Sequence, residues 1–111
     1  MFTAKLRYAR LSCIKAFLVV NKIRGVSAVH ALNILKYSVK KSSRIIRKLL
    51  LSAVANACRK GYNIEILYIS KIFLDQASSL KRLRLCAKGR SSRILKRSCH
   101  ITIELSKSIV R

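Results

Sequence analysis

The first acidic side chain in this sequence is Glu65, and only Asp75 and Glu104 follow it. Against these three acids stand 25 lysines and arginines, a formal charge of +22. Internal ion pairs cannot neutralise that imbalance, so folding the free chain crowds like charges and costs stability. A polyanionic partner is implied. Disordered basic tails, however, are poor in Ile, Leu and Val, whereas hydrophobic residues here make up 51%. The chain has the apolar content to fold, and its 111 residues suit a single domain, since one core is the default below roughly 150 residues.

The polyanion is either nucleic acid or an anionic membrane surface, and the spacing of apolar residues separates the two. The longest apolar runs, AFLVV (16–20) and LLLSAVANAC (49–58), fall well short of the roughly 20 residues that span a bilayer. MFTAKLRYARLSCIK at the start lacks the apolar region of about 7–15 residues that a secretory signal needs. No membrane partner is expected. Cys13, Cys58, Cys86 and Cys99 form no CxxC pair, so neither a zinc knuckle nor a redox motif is indicated. Cys99 adjoins His100, but neighbours on a strand point to opposite faces. No metal or other cofactor is expected.

Proline is absent, and Gly25, Gly61 and Gly89 punctuate the chain. SCIKAFLVVNKIR (12–24) places Ile14, Leu18, Val19 and Ile23 at helical spacing, with Ser12 as N-cap and Gly25 just past the end. Ser27 caps a second, shorter helix ending near Tyr37, with Val29, Leu32 and Leu35 on one face. A third begins around Lys40 to Ser42 and stops at Gly61. Its Ile45, Leu49, Ala53 and Ala57 run beside Ile46, Leu50 and Val54 as one broad apolar stripe.

After Gly61 the apolar period shortens from about 3.6 to 2. IEILYISKIFL (64–74) and HITIEL (100–105) read as strands, the latter with Ile101, Ile103 and Leu105 on one face and His100, Thr102 and Glu104 on the other. Between them, Leu80 to Cys86 and Arg93 to Ser98 form the arms of a hairpin that turns between Ala87 and Ser92, where Gly89 supplies backbone freedom. Both faces of this ribbon carry cations, so it has no core to rest on and is marginal alone in water. Arms of this length reach roughly 20 Å. The hairpin is expected to project, to be loosely held in the free chain, and to order on binding.

Catalysis is not expected. The three acids are far apart, the two histidines, His30 and His100, read as structural, and no Gly-rich phosphate loop is present. The candidate phosphate contacts are Lys5, Arg7, Arg10, Lys15 and Arg24 towards the N-terminus, and Lys81, Arg82, Arg84, Lys88, Arg90, Arg93, Lys96 and Arg97 along the hairpin. Tyr8 is open to either base stacking or core packing. No RNP-type aromatic platform or GxxG loop is present, which favours folded RNA read by shape and backbone over single strands. Two other classes remain as alternatives. A DNA-binding regulator would use the short Gly-containing turn between the first two helices but leaves the hairpin unexplained. A cationic membrane-surface protein would gather its cations on one helix face.

LSCIKAFLVVNKIRG (11–25), ALNILKY (31–37), LLLSAVANA (49–57) and LKRLRLCAKGRSSRILKRSCHITIEL (80–105) follow, in order and spacing, the pattern of the bacterial-type large-subunit ribosomal protein twenty-two family, which the chain resembles. The AKGR…RILKR…HIT series is the most specific part. The resemblance implies an α+β fold: three helices packed on a small antiparallel sheet, with a long protruding β-hairpin at about 78–99. It further implies a structural role. The body sits on large-subunit rRNA beside neighbouring ribosomal proteins, without a homo-oligomer, and the hairpin lines the nascent-peptide exit tunnel. By position the tunnel-side tip falls on Lys88, Gly89 and Arg90, with Lys81 and Arg82 nearby on the first arm. The ribosome in question would be that of a bacterial or endosymbiont cytoplasm, or of an organelle matrix or stroma. The chain departs from the family pattern where Pro is usual and Cys13 stands, at Gln76, Ala77 and Ser78 in place of an acidic-Gly-Pro turn, and at Leu85 and Cys86 in place of Pro-Arg.

Overall fold

The computed structural model describes residues 2–85, 89 and 91–107, with backbone alone at 84–85 and 91–94. The elements run β1 (Phe2–Ala9), α1 (Cys13–Ile23), α2 (Ala28–Lys36), α3 (Lys41–Arg59), a 3-10 turn (Ile64–Ile66), β2 (Leu67–Gln76), β3 (Leu80–Leu85), β4 (Ser91–Lys96) and β5 (Cys99–Lys107).

The two serine caps act as the sequence predicts. Ser12 accepts the Lys15 N–H at 3.3 Å and Ser27 accepts that of His30 at 3.4 Å, each meeting one of the unpaired amides of a helix start. Each helix carries a cation in its last turn, Lys22, Lys36 and Arg59, where the helix dipole favours positive charge. Gly25, at φ +73°, turns the chain out of α1. Its N–H then donates to Ile69 O at 3.1 Å, and Ile69 N–H returns to Val26 O at 3.0 Å, which locks the end of α1 onto β2.

The body is a three-stranded antiparallel sheet of order β1-β5-β2, with the three helices on one face. Ile101, Ile103 and Leu105 of the central strand are wholly buried and meet Ile69 and Ile72 of β2, Phe2 and Ala4 of β1, and the Ile46, Leu50 and Ala53 stripe of α3 in one core. β3 and β4 form a separate two-stranded sheet. This ribbon stretches the molecule to 68 × 24 × 18 Å, with a radius of gyration of 17.2 Å. A compact domain of this size has roughly 13 Å.

Five local expectations are corrected. FTAKLRYA forms β1, a strand not expected from the sequence. β2 begins at Leu67 and not at Ile64, because Ile66 N–H bonds back to Asn63 O and winds the first three residues into a 3-10 turn. On α1 the buried stripe is Ala16, Val19, Val20 and Ile23, leaving Ile14 at 75% and Leu18 at 52% exposure. Both stripes have helical spacing, and the one containing small Ala16 is the one buried as α1 packs on β2 and α3. Similarly, α2 buries Ala28, Ala31 and Leu35 while Val29 is exposed. Finally, the second hairpin arm runs Ser91–Lys96 in place of Arg93 to Ser98. Ser98 is buried, and its carbonyl accepts Ala77 N–H at 3.1 Å, which draws it out of the ribbon into the body.

Candidate nucleic-acid interface

The register of the ribbon distributes its charge. Leu80 pairs with Lys96, Lys81 with Leu95, Arg82 with Ile94 and Leu83 with Arg93, so each of these cations stands opposite an aliphatic residue. Like charges directly opposed would weaken the pairing. Lys81, Arg82, Lys96 and Arg97 are all exposed, and Leu83 and Leu95, at 75% and 48% exposure, find no core to enter. Lys81 and Arg82 occupy the second and third positions of β3, on the arm and near its base. Arg84 and Arg93 lie on β3 and β4. Gly89 has φ +71°, while Lys88 and Arg90 lie outside the described residues. No acid occurs between Asp75 and Glu104.

A second basic region lies on the open face of the sheet. Because β1 pairs with β5, Lys5 is opposite Thr102, and Lys5 and Arg7 join His100 and Asp75 around a shallow hollow of about 310 Å³. The register slips between Leu6 and Ala9, where Tyr8 adopts φ 57°, a left-handed conformation uncommon outside glycine. Its N–H donates to His100 Nδ1 at 3.1 Å, and its ring meets His100 edge-on at 4.7 Å. Tyr8 is 60% exposed and thus outside the core. Arg10 is exposed just after β1, Lys15 on α1, and Arg24 at the C-cap of α1.

The third region went unnoticed in the sequence. Lys36 from the end of α2 and Arg44, Arg47 and Lys48 from α3 surround a hollow of about 340 Å³ together with Ser38. The Arg47 Nε is buried with no hydrogen-bond partner, an unmet donor facing a strongly positive neighbourhood. Arg47 and Lys48 stand three and four residues after Arg44, so mutual repulsion weakens this face of the helix. That spacing in KKSSRIIRK is its sequence signal, overlaid on the apolar stripe of the same helix.

Other chemistry is sparse. Cys99 points into the core and His100 out of the opposite face, as strand alternation requires. Among the described residues no three His, Cys, Asp or Glu side chains gather closely enough to hold a metal ion. No described helix is long and apolar enough to cross a membrane.

The model of the family described as Ribosomal protein L22p/L17e matches residues 4–106. The match takes in the helices, the three-stranded sheet and the ribbon, and with them all three basic regions. A surface with this excess of cations is what phosphate backbone requires, and the family supplies the polyanion. The chain belongs to the ribosomal protein L22p/L17e family, whose members are non-enzymatic constituents of the large ribosomal subunit that bind its rRNA.

Proposed function

We propose that the β3–β4 ribbon passes inward between rRNA helices to line the nascent-peptide exit tunnel, while the body docks on the rRNA surface and supports subunit assembly. The observation that carries this reading is the ribbon itself: an arm with cations along both strands, no apolar layer covering it, and an overall length of 68 Å that a closed domain does not need. A two-stranded ribbon in water is marginal, whereas one gripped by phosphates on several sides gains charge-assisted hydrogen bonds along its length.

In this arrangement Lys5, Arg7, Arg10, Lys15 and Arg24 hold the body, and Lys81, Arg82, Arg84, Arg93, Lys96 and Arg97 hold the arms. Lys88, Gly89 and Arg90 face the tunnel and its nascent peptide. The exposed Ile14, Phe17 and Leu18 on α1 suit a neighbouring ribosomal protein better than phosphate.

A photo-crosslinking amino acid at position 88, in ribosomes stalled during translation, tests the tunnel assignment. Adducts to the nascent peptide are expected. Adducts confined to rRNA or to other proteins would overturn it.

A further inference from the structure

We infer that Cys13 and Cys99 are a redox-responsive thiol pair that closes to an intramolecular disulfide, tying the start of α1 to the start of β5. Far apart in sequence, with a separation of 86 residues, their sulfurs lie 2.8 Å apart in a thiol–thiol hydrogen bond. A disulfide bond is about 2.05 Å long, so closure asks for a movement of under about 1 Å. Both residues are held by regular structure. Cys13 is the first residue of α1, directly after the Ser12 cap. Cys99 opens β5 with its backbone in register with Ala9 of β1 on one side and Gln76 of β2 on the other. Absence of a CxxC motif concealed the pair, because the fold and not the local sequence brings the two thiols together.

The two thiols have different access. Cys13 is half-buried and Cys99 fully buried, and burial, followed by the hydrogen bond with Cys13, pushes the Cys99 thiol up to about 12. The attack order follows. The Cys13 thiolate attacks one sulfur of a low-molecular-weight disulfide such as glutathione disulfide, breaking its S–S bond and releasing one glutathione thiolate, which takes up a proton. Cys99 then gives up its proton and attacks the Cys13 sulfur, expelling the second glutathione. Two protein thiols are oxidised by two electrons, and one small disulfide becomes two small thiols. The link would lie at the base of the ribbon, since β4 ends at Lys96 and the Ser98 carbonyl is already tied to Ala77. Closure therefore stiffens the joint between ribbon and body, and reduction releases it.

The test uses the full reduced chain, shown by circular dichroism to be folded, equilibrated with glutathione disulfide, alkylated and mapped by peptide mass spectrometry. A parallel sample is oxidised in guanidinium. A Cys13–Cys99 linkage enriched several-fold over the denatured sample, reversed by dithiothreitol and accompanied by a rise in thermal midpoint, is expected. Exposed Cys58 serves as the alkylation control. Cys13→Ser is expected to leave Cys99 unlinked and free of glutathione, whereas Cys58→Ser leaves the linkage intact. Glutathione retained on Cys13 without the crosslink, both thiols recovered alkylated, or a pairing pattern equal to that in guanidinium would each overturn the inference.

Discussion

β5 and β3 are both short runs of aliphatic residues interrupted by polar ones, yet Ile101, Ile103 and Leu105 on β5 are wholly buried while Leu83 on β3 is 75% exposed. The antiparallel pairing of their backbones does not separate them, although β3 carries three cations, Lys81, Arg82 and Arg84, where β5 carries only Lys107. The separation lies in what covers them. β5 sits between two strands and beneath a layer of helices, so its backbone is paired on both edges and its apolar face is dry. Among the described residues β3 has one partner strand and no covering layer. A period of two thus specifies a strand, but only a covering element turns that strand into core. In the proposed arrangement, rRNA would take the place of that cover for the ribbon.

The sharpest way to break this comparison is to delete the same kind of side chain from each region. Ile103→Ala should lower the unfolding free energy of the body by about 2–5 kcal/mol, whereas Leu83→Ala should change it by less than about 0.5 kcal/mol. Urea titrations of the two variants make the check, and equal losses would mean that the ribbon shares the body's core. Next in size is an effect on binding. Lys81→Gln combined with Arg82→Gln should leave the urea midpoint unchanged but reduce the slope of log affinity for large-subunit rRNA against log salt by about 2, close to one for each lost phosphate contact.

A smaller effect compares two glycines. Gly25 and Gly89 have φ of +73° and +71°, and a Cβ at either position would meet nothing within 4 Å. Substitution by Ala therefore costs only the left-handed backbone, about 1 kcal/mol. Gly25→Ala should subtract that from the stability of the body, and Gly89→Ala should leave the body's thermal midpoint where it was. A further effect is one of pH. Because Cys99 holds its proton to about 12 when folded against 9.0 ordinarily, the folded state binds more protons between these values. Its contribution is fully present below pH 9 and is lost as the pH rises towards 12. Cys99→Ala should flatten that part of the alkaline stability curve.

The strongly periodic segments were readable in the sequence, and the places where two patterns competed were not. α3 carries a single broad stripe and its bounds followed from it. On α1 the Ile14–Leu18 and Ala16–Val20 stripes are both helical, and packing on β2 and α3 selects the second. β1 was not legible although Phe2 and Ala4 alternate inward against outward Thr3 and Lys5, because its interspersed cations resemble a basic tail. The candidate interface was readable as a class of chemistry, since an acid-free hairpin leaves few other uses. Its assembly was not. Lys5 and Arg7 meet Asp75 and His100 only through the β1-β5-β2 strand order, and Lys36 meets Arg47 only through the packing of α2 on α3.

The most direct test of the central claim, that rRNA of the large subunit holds this chain and its ribbon, is sedimentation of an extract through a gradient at about 0.5 M salt, where loose backbone contacts are largely screened. The account predicts that the chain stays with the large subunits. Release into the light fractions, or migration with DNA or membranes, would contradict it.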